Sequence, residues 1–527
     1  MQYTKFSAAS LFLFGLLVAC HSGSHLEHNT LRRGLGGEPS TLDPALAADY
    51  FSTEVLRDLY EGLVAESPEG DIRPAIATTW TINPDGRRYT FTLRPDARWS
   101  NGKPVRARDF VLSWRRVVDP KMASPVADDL RLIRGASEII AGKASTASLA
   151  VQAVNDSTLV LELERPAPYF LQILAHSSAY PIYSEANARS HDEATWISNG
   201  PYVFRTWSPG TEMVLTKNQS YWDRANVAIP EIRFIFIPDE ISQFARYRAD
   251  QLDLTDSVPP NAADALRRER PGELVISPFL ATAYYGLNLA VGPLHSNIKL
   301  RQALAMAIDR KRLTASLQFG QPPAYGIVPQ GTWNYSPQEW PWKNLGDSER
   351  IAQAKLLYAQ AGYSPTTPLH LRLLYNSNPV IKNMAVASAS MWREVLGIDT
   401  ELADEEYRVF LQTRHDKTRW EIGRFAWTAD FNDASNFLDI FRRQSSNNEE
   451  GYANERFDEL LDIAAATPDS QVRRTILEQS ERTLLDDYPI VPLYFFVSKR
   501  LVKPYLRGVR INPLNHIASK ALSFALP

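Results

Sequence analysis

The sequence contains one cysteine, Cys20, in 527 residues. A disulfide within the chain is therefore excluded, although a secreted location would permit one. No stretch reaches the roughly 18 consecutive apolar residues that an ordinary membrane-spanning helix needs. The formal net charge is only -3, so the composition does not favour a nucleic-acid partner. With 44% hydrophobic residues and no low-complexity block, the chain is typical of a globular protein, and its length predicts two or three domains.

The N-terminal residues have the parts of a secretory signal peptide, namely Lys5, the short apolar stretch Leu11–Ala19 and a small residue before a cleavage point. The ending Leu17-Val-Ala-Cys20 resembles a bacterial lipobox, which implies cleavage before Cys20 and acylation of that residue. We therefore expect residues 1–19 to be a lipoprotein signal peptide and residues 20–30 to be a flexible tether. Lipid chains would hold the protein at the cell membrane on its periplasmic side. A plain signal peptide with an incidental cysteine is the alternative.

Strand and helix patterns alternate along the rest of the chain, which predicts an α/β protein. Three stretches are predicted as strands: Thr90–Leu93, Thr158–Leu163 and Ile232–Ile237. Three stretches have helical periodicity: the residues after Asn297, those around Ile351–Tyr358, and Gln471–Tyr488, which Pro489 ends.

Motifs for catalysis are missing from the sequence. It has no Gly-x-Ser-x-Gly elbow, no His-Glu-x-x-His zinc helix and no phosphate loop. Adjacent acids occur at Asp128-Asp129, Glu405-Glu406 and Asp486-Asp487, but neighbours in sequence point to different sides, so we expect solvated surface there. The tether histidines His21, His25 and His28 lack packed groups to orient them on a metal. The sequence therefore predicts no enzyme, no cofactor and no metal site.

Several stretches, in order along the chain, resemble the solute-binding proteins of bacterial peptide ABC importers. They include Gly37-Glu-Pro-Ser-Thr-Leu-Asp-Pro44, Tyr89–Val105, Asp109-Phe-Val-Leu-Ser-Trp114, Asn199-Gly-Pro-Tyr202, Tyr247–Asp253, Ala429-Asp430 and Ile490-Val-Pro-Leu-Tyr494. The resemblance covers nearly all of the chain after the tether. It implies a protein that captures short peptides, of about two to five residues, and delivers them to a membrane permease.

The family's fold is a two-lobed periplasmic-binding-protein clamp of the large three-domain type (class II), which closes on a hinge over its ligand. By resemblance, lobe I comprises residues 31–60, 186–280 and 498–527. An inserted domain spans 61–185, and lobe II spans 281–497. The expected partners are short peptides, the subunits of an inner-membrane ABC permease and the membrane at Cys20, and the protein is expected to be a monomer.

The segment Arg424–Asp430 is the candidate binding site. The resemblance implies that Asp430 holds the ligand's α-ammonium, with Trp427 beside it, and that the preceding strand pairs with the peptide backbone at Ala426 and Thr428. Arg424 lies six residues before Asp430, roughly 20 Å along an extended strand, and could bind the carboxylate of a ligand of about three residues. Further residues match family positions: the backbone of Tyr50 on an opposing edge strand, and the pocket-lining side chains Arg414, Tyr407 and Tyr284.

The sequence departs from the family pattern at several ligand-facing positions. Val126 replaces a tyrosine, Ile381 replaces a histidine, Gly286 replaces an acid, and the segment Ser316–Gly320 lacks an expected lysine. Binding of carboxylates from peptides of several lengths is therefore less well supported than binding of the ammonium. The alternatives are a murein tripeptide-binding protein, a binder of nickel complexes, haem or sugars with the same fold, a periplasmic peptide hydrolase, and a chaperone-like role.

Overall fold

The computed structural model describes residues 29–183, 196–364 and 366–525. The predicted signal peptide, the Cys20 anchor and the tether histidines lie outside the described residues. Thr30, which the sequence places in the tether, already begins the first strand. No described helix combines the length and the apolar character that crossing a bilayer requires.

Strands and helices alternate along the described residues. The strands are β1 (Thr30–Leu35), β2 (Val64–Glu66), β3 (Ile72–Pro74), β4 (Ala77–Ile82), β5 (Arg88–Leu93), β6 (Val151–Asn155), β7 (Thr158–Glu162), β8 (Tyr202–Ser208), β9 (Glu212–Lys217), β10 (Glu231–Phe236), β11 (Leu274–Leu287), β12 (His370–Asn376), β13 (Asp399–Glu405), β14 (Ile422–Thr428), β15 (Ile490–Leu501), β16 (Leu506–Arg507) and β17 (Ser523–Phe524). The helices are α1 (Tyr50–Leu59), α2 (Ala107–Val117), α3 (Ala136–Ile140), α4 (Phe170–Leu174), α5 (Glu240–Arg248), α6 (Ala263–Glu269), α7 (Ile298–Ala307), α8 (Arg310–Ala315), α9 (Asp347–Gln360), α10 (Pro379–Leu396), α11 (Tyr407–Thr413), α12 (Ser435–Leu438), α13 (Glu455–Ala466) and α14 (Ser470–Asp487). The predicted α/β class is confirmed.

Three larger sheets organise the described residues. The first sheet has the order β1-β10-β9-β8, the second β4-β5-β7-β6, and the third β13-β12-β14-β11-β15. The first and second sheets share one hydrophobic core, which includes Leu31 and Phe234 from one and Phe91 and Leu159 from the other. The third sheet has a separate buried cluster on each face.

The strands β11 and β15 are the longest and run side by side in the third sheet. Their pairing has a register break between Pro278 and Thr282, close to the predicted boundary between lobe I and lobe II. Proline cannot donate a ladder hydrogen bond, and such irregularities bend a strand. The two strands therefore continue across the predicted lobe boundary, but the backbone pairing between them is weakened near Pro278.

The helix α14 shows why the sequence pattern was informative. Its N-cap is Asp469, whose carboxylate accepts hydrogen bonds from the backbone of Gln471 and Val472, both at 2.9 Å. The helix ends at Asp487, because the next residue, Tyr488, has a positive φ of 50° and is followed by Pro489. The three predicted strands and three predicted helices are all confirmed, with ends shifted by at most four residues.

Candidate functional site

The strand β14 has a partner on one side along its whole length and on the other side for only two residues. It pairs with β11 from Ile422 to Thr428, whereas its pairing with β12 is limited to Ile422 and Gly423. In the described part of the chain, no strand pairs with the β12-facing side of residues 424–428. An open edge of this kind presents backbone groups that can accept an added strand.

Alternate residues of β14 point to opposite faces of the sheet. Arg424, Ala426 and Thr428 share one face, and the latter two are exposed. Phe425 and Trp427 share the other face and pack against the cluster that contains Tyr284 and Phe441. The structure thus places Arg424 on the same face as Ala426 and Thr428, the two residues predicted to pair with the peptide backbone. Trp427 lies on the opposite face.

Asp430 lies just beyond the end of β14 and is held by Asn436, the second residue of α12. The Asn436 side-chain amide donates to Asp430 Oδ2 at 3.3 Å, and Asn436 Oδ1 accepts from the Asp430 backbone N–H at 3.3 Å. The same oxygen accepts from Trp427 Nε1 at 2.8 Å. Trp427 is therefore linked to Asp430 through Asn436, a residue that the sequence analysis did not identify.

The Asp430 carboxyl is close to protein on several sides although the residue remains accessible to solvent. Burial raises the pKa of this carboxyl, and the charge of Asp129 raises it further, while the Asn436 hydrogen bond and the charge of His176 act in the opposite direction. An ammonium group placed here would favour the charged form of Asp430 and offset its partial desolvation.

The loop that carries Asp430 contacts the residue that precedes α4 and also contacts the helix α14. The Phe431 ring stacks on the Tyr169 ring with centroids 5.0 Å apart and planes 8° apart. Asp433 forms two hydrogen bonds with Arg473 of α14, at 2.7 and 2.8 Å, and both side chains are buried. Asp430 is therefore positioned by a rigid loop rather than by a free surface turn.

Arg424 is half-buried at the other end of the open edge. Its guanidinium donates to the Tyr494 hydroxyl at 3.5 Å, and within the described ranges its side chain forms no ion pair. A half-buried guanidinium with spare donors is suited to a ligand carboxylate.

The structure does not bring all the predicted pocket residues to this edge. Arg414 is paired with Glu449 at 3.1 Å, and Lys417 reaches the same carboxylate at 3.2 Å. Tyr284 is only 4% exposed and packs in the aromatic cluster. Tyr407 begins α11 and is 56% exposed.

The expectation for Tyr50 is wrong in one respect. The residue begins helix α1 rather than lying in an edge strand, because Asp49 caps that helix by accepting from the Ser52 backbone at 2.8 Å. The Tyr50 hydroxyl donates to Asp256 at 3.3 Å and accepts from Arg500 at 3.2 Å. Its carbonyl accepts from the Thr53 hydroxyl within the helix at 2.8 Å, and its side chain belongs to this polar cluster.

Two more sequence interpretations are corrected. The adjacent acids are not all solvated surface, since Asp129 contacts His176 at 3.2 Å and Asp487 accepts from the Tyr452 hydroxyl at 2.8 Å. In addition, the family's acid is absent at Gly286, but the side chain of another acid, Glu450, lies beside this position. A Cβ at position 286 would overlap Glu450 Oε1. Burial raises the pKa of Glu450 to about 8.

An α/β fold with an open strand edge between a cation and an acid is suited to binding an extended solute, and no cluster of metal-binding side chains occurs among the described residues. An open edge of this kind on this fold is suited to a solute-binding protein. The chain belongs to the bacterial extracellular solute-binding proteins, family 5, whose model (family 5 Middle) matches residues 71–449.

Curated relatives cover nearly the whole chain. The periplasmic murein peptide-binding protein MppA of Escherichia coli K12 is 37% identical over 93% of this chain and 92% of its own length. The periplasmic oligopeptide-binding protein OppA of Salmonella typhimurium is 35% identical, with 94% and 92% covered. A probable deoxycholate-binding periplasmic protein, YgiS of E. coli K12, is 34% identical, with 92% and 91% covered.

Solved structures show the same two-lobed fold. The unliganded open form of MppA has a TM-score of 0.87 at 36% identity, with 94% of this chain and 98% of that chain covered. OppA of Haemophilus influenzae in complex with the peptide RPPGFSPFR has a TM-score of 0.74 at 33% identity, with 95% and 99% covered.

Proposed function

We propose that this protein captures short peptides in the bacterial periplasm and delivers them to an inner-membrane ABC permease. The observation that carries the proposal is the open edge of β14 with Arg424 near one end and Asp430 beyond the other. Backbone pairing along this edge would hold any peptide, and the charged ends would recognise its termini. The peptide-binding relatives support the same function.

We further propose the domain arrangement that the sequence analysis predicts. Residues 31–60, 186–280 and 498–527 would form lobe I, residues 61–185 an inserted domain, and residues 281–497 lobe II. The third sheet falls in lobe II except for the outer ends of β11 and β15, which would cross the hinge. Closure would bring lobe I over the open edge of β14.

Murein tripeptides are the second candidate ligand, because MppA is among the relatives and Arg424 suits a ligand of about three residues. A non-peptide ligand is a third candidate, since one relative is a probable deoxycholate-binding protein. Native mass spectrometry of protein purified without denaturation distinguishes these classes by the mass of a retained ligand. Catalysis is not part of the proposal, because the family is one of binding proteins.

Peptide length should affect binding through Arg424. In a calorimetric series of alanine peptides with two to five residues, we expect the tripeptide to bind best, because only its carboxylate reaches the guanidinium. A carboxylate that is desolvated without this partner should cost about 1–3 kcal/mol, or roughly 5- to 150-fold in affinity. Arg424→Ala should remove the preference. Absence of binding by every peptide would contradict the function, whereas a flat series in the wild type would contradict only the role of Arg424.

The lipid anchor is a separate part of the proposal. Because Cys20 is the one cysteine and follows the predicted signal peptide, Cys20→Ser should release soluble protein into the periplasm. Peptide affinity should remain unchanged, since the tether precedes the binding fold. Cell fractionation followed by immunoblotting measures the release. A variant that stays with the membrane after a salt wash would show that the protein is held by something other than acylation.

A further inference from the structure

The Asp430 loop, residues 429–433, belongs to the proposed lobe II but packs on the proposed inserted domain. The Phe431 side chain, next to Asp430, contacts the hydrophobic core that the first and second sheets share. Tyr169, which directly precedes α4 in the inserted domain, belongs to the same core and is 6% exposed. Residues from two proposed domains therefore meet in one cluster beside the candidate ammonium site.

The Tyr169 ring is at the centre of this contact. It lies nearly parallel to the Phe431 ring, with centroids 5.0 Å apart and an angle of 8° between the planes. The Arg473 guanidinium of α14 lies 5.4 Å from the centre of the Tyr169 ring. Arg473 in turn forms two hydrogen bonds with Asp433. Tyr169 is thus connected to the loop at two positions, directly one residue after Asp430 and through Arg473 three residues after it.

A second part of the inserted domain reaches the same loop. Asn432 is 2% exposed, and its side-chain nitrogen lies 3.5 Å from the carbonyl oxygen of Gly70, in the turn between β2 and β3. Gly70 has a φ of 86°, and a Cβ there would lie 2.9 Å from Asn432 Nδ2, so this close approach requires glycine. On its other side, Asn432 Oδ1 accepts from the Trp333 backbone at 2.8 Å. The three residues that follow Asp430 are therefore all held by contacts outside the loop.

We propose that Tyr169 is a positioning residue for the ligand-ammonium site, because its ring holds the Asp430 loop where the carboxylate meets the α-ammonium of the peptide. Tyr169 acts through the loop and does not bind the ligand itself. A charge-assisted hydrogen bond depends on distance and direction, so a loop released from the inserted domain would hold the ammonium less well. The Arg424 end of the site would keep its geometry. The inference rests on the proposed peptide-binding function and gives the inserted domain a part in it.

The test is calorimetry of Ala-Ala-Ala and of N-acetyl-Ala-Ala-Ala with the soluble protein carrying Cys20→Ser. Tyr169→Ala should weaken binding of the free peptide about 10-fold, the effect expected from loss of an aromatic pair and a cation–π contact. Weak binding of the acetylated peptide, measured by displacement, should stay unchanged. The preference for a free amino terminus therefore falls about 10-fold, while the preference for tripeptides, which depends on Arg424, remains.

Two control variants separate the ring of Tyr169 from its hydroxyl and its position from its domain. Tyr169→Phe keeps the ring and should retain the affinity and the selectivity of the wild type. Tyr183→Ala removes another tyrosine of the inserted domain, whose ring packs edge-on against Trp99 with centroids 5.7 Å apart, and should change neither. A single cooperative thermal transition confirms that each variant is folded.

Phe431→Ala tests the same contact from the side of the loop. It should reproduce the loss of selectivity, and Tyr169→Ala should add little in this background, because the two rings act together. Phe431 is only partly buried, so this variant carries the test if Tyr169→Ala does not fold. Unchanged selectivity in the folded variants, or an equal loss for free and acetylated peptides, would overturn the inference. The proposed function then still stands if the wild type binds the free tripeptide and Asp430→Asn weakens it, whereas a wild type that binds no peptide contradicts the function itself.

Discussion

N-acetylation of a tripeptide is expected to abolish most of its binding to this protein. Acetylation removes the ammonium, so closure over the ligand would leave the Asp430 carboxyl desolvated without a charged partner. An uncompensated buried charge costs about 3–5 kcal/mol, which corresponds to a loss of some hundred-fold or more in affinity. Calorimetry on matched free and acetylated tripeptides measures the difference.

The variant Asp430→Asn provides the control for this result. It should weaken binding of the free peptide while making the protein nearly indifferent to acetylation, because the group that distinguishes the two ligands is gone. Equal affinities of both peptides for the wild type would remove Asp430 from the ammonium site. The open β14 edge could then still bind peptides, but through backbone pairing alone.

Loss of the Asp433–Arg473 pair is expected to be the most destabilising single change near the site. Both side chains are at most 5% exposed, and Asp433 Oδ1 also accepts from the Ser435 backbone at 2.9 Å. Asp433→Asn leaves the Arg473 guanidinium buried without a counter-ion, which should lower the free energy of unfolding by about 3–5 kcal/mol. Urea denaturation followed by tryptophan fluorescence measures this change.

Two matched variants show whether the buried charge is the cause. Asp430→Asn, three residues earlier and accessible to solvent, should change stability by no more than about 0.5 kcal/mol. Combining Asp433→Leu with Arg473→Met should recover much of the loss, because an apolar pair leaves no unpaired charge. Wild-type stability in Asp433→Asn would contradict the assignment of this pair as the anchor of the Asp430 loop.

The sequence predicted those features of the fold that depend on local residue patterns or on the resemblance to a known family. The α/β class, the strand at Thr90–Leu93 and the helix capped by Asp469 follow from periodicity and capping chemistry over a few residues. The strand Ile422–Thr428 is placed where the resemblance predicts it. These features do not depend on which distant segments meet in the fold.

What the sequence missed depends on contacts between distant segments or on a competition between local structures. No spacing rule connects Asp129 with His176, or Glu450 with Gly286, since these residues meet only after folding. Tyr50 was misassigned because the Asp49 cap favours a helix that begins at that residue. Asn436 has no charge or motif to mark it, although its amide links Trp427 to Asp430.

The open edge of β14 also limits how the protein associates with itself. An unpaired strand edge is a template for pairing with any extended chain, including a second copy of the same protein. Here the unpaired portion, residues 424–428, is only five residues long. It begins at the cation Arg424 and stops just before the acid Asp430. A continuous strand of another protein would place neutral peptide bonds, rather than charged termini, beside Arg424 and Asp430. On the proposed function, the same two residues would act against edge-to-edge aggregation while the edge stays available to a short ligand.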